Sequence, residues 1–170
     1  ALARGEPAAL PRFDKGRDDR APERDWPRAP ADTQVMLLEG WCLGAEPQTA
    51  AQLETAINTL ESHQDANGEW REFVNQALAQ DYAELFSLVD CWLMLKAPSF
   101  DCVYQWRVEQ EQKMAKQLGV DFLSDDRKSH PGIMSTTELQ HFIDHYQRIT
   151  EHGFTTLPKK MHHLYELDTQ

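Results

Sequence analysis

Four groups of residues in this sequence have types and spacings that chemistry uses. Glu39 directly follows the apolar run Val35-Met36-Leu37-Leu38. Such a run suits a strand buried on both faces, as in a parallel sheet. A carboxylate just beyond it sits at the strand's C-terminal edge, where open α/β sheets bind ligands. The plainer alternative is a glutamate that leaves the core into water. Arg107 lies in the polar stretch from Gln105 to Lys113, either on an exposed surface helix or on a mobile lid that carries a cation to a ligand. Residues 1–31, with Asp14, Lys15 and Arg20, are either a solvated linker or a ligand-contacting loop. His141, His145 and His152 share the side of a helix opposite its apolar stripe, which invites a metal. Apart from nearby Asp144 no ligand pattern accompanies them, so a solvated helix face is the favoured reading.

The elements that must position these groups follow from periodicity. Thr49 and Gln52 have capping-box spacing, and Leu53, Ile57 and Leu60 continue at helical intervals. Asn67-Gly68 breaks that pattern. A second helix from Glu69 carries Trp70, Phe73, Val74, Ala77, Leu78 and Leu85 on a broad apolar face. A second strand, Cys91 to Leu95, closes at Lys96-Ala97-Pro98. The third helix spans Asp101–Leu118 and buries only the parts around Val103, Trp106, Met114 and Leu118. Residues 119–132 read as a flexible loop. The last helix opens with the capping box Ser135-Thr136-Thr137-Glu138, buries Leu139, Phe142, Ile143, Tyr146 and Ile149, and ends at Gly153. The order is α/β, but two strands make a poor sheet, and their apolar runs ask for neighbours on both sides.

Composition narrows the partners. The chain has 170 residues and a net charge of −11, with 41% apolar residues, enough for a core. The acidic balance argues against nucleic acid and anionic membranes. No apolar run is long enough to cross a bilayer, and the first ten residues do not read as a signal peptide. Cys42, Cys91 and Cys102 have neither disulfide-framework nor zinc-site spacing, which fits a reducing, cytoplasmic compartment. The charge is uneven: residues 1–31 carry +1 and the rest −12. A nearly neutral loop that holds five of the nine prolines can meet an anionic small molecule.

Several pieces stand in a telling order. They are Leu10-Pro11-Arg12-Phe13-Asp14-Lys15 with Asp18-Asp19-Arg20; Leu37-Leu38-Glu39-Gly40-Trp41-Cys42-Leu43-Gly44; Leu95-Lys96-Ala97-Pro98; Val103 through Glu111; and Gly132-Ile133-Met134-Ser135. The set resembles the D-glycerate 3-kinase-like members of the uridine-kinase-like group of P-loop kinases, from about Leu10 to about Tyr146. The resemblance implies an enzyme that transfers the γ-phosphoryl group of ATP, with Mg²⁺, to a hydroxyl of a small hydroxy acid, D-glycerate in the glycerate kinases. It implies that Glu39 is the Walker-B-like carboxylate that orients Mg²⁺ or its waters. Asp14 would face the acceptor hydroxyl, Lys15 and Arg20 would neutralise an acidic acceptor, and Arg107 would contact ATP phosphates from the lid. Asp14 and Lys15 as surface pairs, and Arg107 paired with Glu111 at i,i+4, are the plainer readings.

The motif G-x-x-x-x-G-K-[ST] is absent, since none of the eight glycines is followed by lysine. The expectation is therefore the C-terminal part of a three-layer P-loop kinase fold with an incomplete parallel sheet. Its segments would be a substrate-side loop region (1–33), two core strands with intervening helices (34–98), a lid helix and loop (99–132) and a C-terminal helical segment (133–170). By itself it should bind ATP negligibly, and its exposed sheet edge should favour association with the missing N-terminal part or a second copy. The alternative is a non-catalytic remnant that binds a metabolite or a partner protein.

Overall fold

A computed structural model describes residues 4–14, 19–124 and 133–169. The chain forms two compact units, Ala1–Gly40 and Trp41–Gln170.

The first unit is built on a hairpin. Strand β1 (Ala8–Ala9) pairs antiparallel with β4 (Arg28–Ala29), and β2 (Phe13–Asp14) pairs antiparallel with β3 (Asp19–Arg20). Between the two ladders, Leu10 N donates to Pro27 O and Ala21 N to Arg12 O, both at 2.8 Å. The Trp26 indole N–H donates to Ala21 O at 2.7 Å and seals the turn over the buried Ala21. Strands of two residues carry no alternation that a sequence pattern can reveal, which is why this segment reads as irregular.

The run Val35–Leu38 is a correction. It forms no strand, and its side chains are 83%, 62%, 91% and 56% exposed in order. A strand needs a neighbouring backbone for its N–H and C=O groups, and none pairs with this run among the described residues.

The second unit is helices around one parallel strand pair. Its elements are α1 (Ala50–Leu53), α2 (Thr59–Gln64), α3 (Glu69–Ala79), α4 (Asp81–Phe86), β5 (Leu93–Lys96), α5 (Phe100–Gln117), α6 (Thr136–Thr156) and β6 (His163–Glu166). β5 and β6 pair in parallel, with Leu93 beside His163 and Lys96 beside Glu166. The core lies between α5 and α6, where Phe100, Leu139 and Ile143 are joined by Tyr104, Val108 and Met134. Both capping boxes form: Gln52 N and Glu138 N donate to the Thr49 and Ser135 hydroxyls at 3.4 and 3.1 Å.

Three helical expectations change. The helix from Thr49 stops after Leu53, and α2 restarts behind Asn58, whose side chain accepts from Glu61 N at 3.0 Å. On α3 the inward residues are Arg71, Asn75, Ala77 and Leu78, whereas Trp70 and Phe73 are 69% and 64% exposed. Helix α6 runs through Gly153 to Thr156, and its end is set by Leu157-Pro158. Gly153 is buried, and a Cβ there would lie 3.4 Å from Leu157 Cδ1.

Two arginines explain the break between α1 and α2. Arg71 Nε donates to Leu53 O at 2.6 Å, and Arg148 donates to Gln52 O and Thr55 O at 2.9 and 2.7 Å. They satisfy carbonyls that the ended helix leaves bare, at the end where cations are favoured. Arg148 also forks onto both Glu61 oxygens, Nε to Oε1 at 2.7 Å and Nη2 to Oε2 at 2.6 Å. Among the described residues no helix is long and apolar enough to cross a membrane.

Candidate functional site

The hairpin carries two of the expected site residues on one short ladder but turns them to opposite faces. Asp14 and Arg20 lie on one two-residue ladder, with Phe13 opposite Arg20 and Asp14 opposite Asp19. Directly opposed residues share a face, and successive residues alternate. Phe13 and Arg20 therefore share one face, and Asp14 and Asp19 the other. Asp14 is half-buried and Arg20 exposed. Lys15 lies outside the described residues.

Glu39 is exposed on the irregular segment that ends the first unit, not at the end of a buried strand. The glycines that follow it build no phosphate cradle. Gly44 has φ of 77°, and a Cβ there would meet the Trp92 ring at 3.1 Å. That turn is shaped by packing against an indole.

Arg107 is the most constrained of the expected residues. Its α5 helix buries Phe100, Cys102, Glu111 and Ala115, so α5 packs along its length instead of standing off as a surface helix. The guanidinium lies 5.9 Å over the Phe142 ring, a cation–π geometry. Nη1 donates to Gln110 Oε1, and Nη2 donates to Glu111 Oε1 at 3.1 Å. Nε is buried and has no hydrogen-bond partner among the described residues. Phe142 in turn lies 5.2 Å from Tyr146, which stacks on Trp41 at 4.9 Å with planes 10° apart. An aromatic row on α6 thus backs the arginine. The i,i+4 spacing of Phe142 and Tyr146 signals the row, and the same spacing of Arg107 and Glu111 signals the pair.

Sequence reasoning missed the role of Glu61 and Arg148, because it assigns charged residues to the surface. Burial pushes the Glu61 carboxyl up. The hydrogen bonds from Arg148 and the Ile57 backbone, with the charges of Arg148 and Arg71, outweigh burial and hold it below the ordinary glutamate value. The histidine stripe stays on the outer side of α6. His141 and His145 meet edge to face at 5.1 Å, and His145 Nδ1 lies 2.9 Å from His141 O. Among the described residues no group of three His, Cys, Asp or Glu side chains is placed to hold a metal ion.

The chain is 31% identical over 163 residues to the uncharacterized kinase mug58 of Schizosaccharomyces pombe, a match that covers 92% of this chain and 53% of that protein. It is 31% identical over 128 residues to the chloroplastic D-glycerate 3-kinase of Arabidopsis thaliana, covering 69% of this chain and 24% of that protein. The solved D-glycerate 3-kinase from Cryptococcus neoformans shares the fold with a TM-score of 0.63 at 24% identity, over 89% of this chain and 51% of that one. No protein-family model matches. The chain is similar in sequence to these two kinases and in fold to the solved D-glycerate 3-kinase, and it spans about half the length, or less, of the proteins it matches.

Proposed function

We propose that the chain is the part of a small-molecule kinase that faces the acceptor and carries the lid arginine. The whole protein would transfer the γ-phosphoryl group of ATP to a hydroxyl of D-glycerate. The observation that carries this reading is the 31% identity over 128 residues with the Arabidopsis D-glycerate 3-kinase.

The roles follow from what phosphoryl transfer demands, which is positioning and neutralisation of spreading negative charge. The acceptor hydroxyl oxygen bonds the γ-phosphorus, the bridging P–O bond to the β-phosphate breaks, ADP leaves, and the hydroxyl proton passes to a base. Asp14 fits that base by type and by its place on the hairpin. Lys15 and Arg20 supply cations for the acceptor's carboxylate. Arg107, held on an aromatic face with one buried N–H to spare, suits an anionic phosphate oxygen. Glu39 would supply one oxygen to Mg²⁺, an ion that keeps several waters and is commonly bound by one or two carboxylates plus phosphates. The metal would neutralise phosphate charge.

The ATP phosphates need backbone N–H groups in a glycine-lysine cradle, and this sequence has none. The 170 residues by themselves should neither bind ATP measurably in calorimetry nor phosphorylate D-glycerate. Joined to a segment that bears G-x-x-x-x-G-K-[ST], the protein should turn over. There Glu39→Gln should lower turnover by about 10- to 100-fold. Normal turnover of that variant would remove Glu39 from the mechanism.

A further inference from the structure

We propose that Glu111 is the positioning residue for Arg107, and that it ties the orientation of that arginine to the start of α6. This rests on the reading of Arg107 as the phosphate-contacting residue.

Glu111 is an acidic side chain on the inner face of α5, and only 3% of it is exposed. A buried carboxylate is costly unless both of its oxygens are satisfied. Here each oxygen has a different partner. Oε1 accepts from Arg107 Nη2 at 3.1 Å, one helical turn back, and Oε2 accepts from Met134 N at 3.1 Å. Met134 immediately precedes Ser135, the N-cap of α6. One side chain therefore fixes the arginine with one oxygen and the approach to α6 with the other. The same helix α6 contributes Phe142, the ring beneath the guanidinium. The cation is thus held at its edge by Glu111 and at its face by Phe142, and Glu111 links the two supports. A surface i,i+4 pair would contribute little and would not fix geometry. Burial and the second partner set this pair apart.

The charge is required as well as the shape. An amide has one acceptor oxygen, and its NH₂ group would confront either the guanidinium or the Met134 N–H. Glu111→Gln is nearly isosteric, yet whichever way its amide turns Arg107 loses the charge-assisted bond, because the one acceptor oxygen left is uncharged.

The test is ¹⁵N NMR of the arginine side chains in the 170-residue chain, which needs no catalysis. In the wild-type protein, Arg107 should show slow guanidinium rotation and resolved Nη protons. Arg24, whose side chain is 83% exposed, should show averaged signals. In Glu111→Gln, rotation at Arg107 should be about tenfold faster, the equivalent of one lost charge-assisted hydrogen bond, while Leu139 and Ile143 keep their core chemical shifts. Averaged Arg107 signals in the wild type would overturn the proposal without any variant, as would unchanged rotation in a folded Glu111→Gln protein. Either failure leaves the kinase reading to its own assay, because the NMR signature does not depend on phosphoryl transfer.

Discussion

Two short apolar runs of the same kind meet opposite ends in this molecule. Leu93–Lys96 forms a strand because His163–Glu166 lies beside it in parallel. Val35–Leu38 has no such neighbour among the described residues and remains irregular, with Leu37 91% exposed. Their sequences do not foretell the difference, since strand formation belongs to the pair and not to the run. Even the successful run is only half covered, with Leu93 and Leu95 54% and 63% exposed. A two-stranded parallel sheet normally continues on both sides, and the solved relative has about as much chain again beyond the matched part.

The largest effect is expected elsewhere in the unit that holds the paired run. Arg148→Ala leaves Glu61 buried without its cation and bares the carbonyls after α1. It should destabilise the second unit by about 3–5 kcal/mol in denaturant unfolding. The same pair makes that unit sensitive to acid. The Glu61 carboxyl is held below its ordinary value in the folded state. Its stabilisation is complete above the unfolded glutamate pKa, about 4.3, and is lost as pH falls through the lower folded value. Glu61→Gln should flatten that acid limb of the unfolding midpoint against pH.

A smaller effect would make the two runs alike. Leu167→Pro removes the N–H that donates to Lys96 O at 2.9 Å. It should cost about 1 kcal/mol and raise hydrogen exchange at the end of β5. The smallest effect is expected at the unpaired run: Leu37→Ser should leave the unfolding midpoint within about 0.5 kcal/mol of wild type. A large loss there would mean that the run is held in solution by contacts this structure lacks.

What was legible in the sequence was local. Ser135 and Glu138 announce the start of α6, and the spacing of Val103, Trp106 and Met114 carries α5, because caps and periodicity act within a turn or two; the deepest positions of α5 are instead Phe100, Cys102, Glu111 and Ala115, and Leu118 is 57% exposed. β6 was illegible, since His163-Leu164-Tyr165-Glu166 has no apolar run and depends on a partner 70 residues away. The inward face of α3 was misread because Arg71 and Asn75 are buried by bonds to distant carbonyls and to Gln48. Of the site, the Arg107–Glu111 spacing was legible, but the third member was not, because Met134 N lies 23 residues further on. The hairpin that carries Asp14 and Arg20, on opposite faces, was hidden by its two-residue strands.

We propose that this chain supplies part of a D-glycerate kinase whose phosphate cradle comes from another segment. The most direct test is to measure phosphoglycerate formation from ATP and D-glycerate, with the chain by itself and with the chain joined to a segment bearing G-x-x-x-x-G-K-[ST]. Turnover by the joined protein and none by the chain alone is the expected result. Turnover by the chain alone, or by neither, would contradict it.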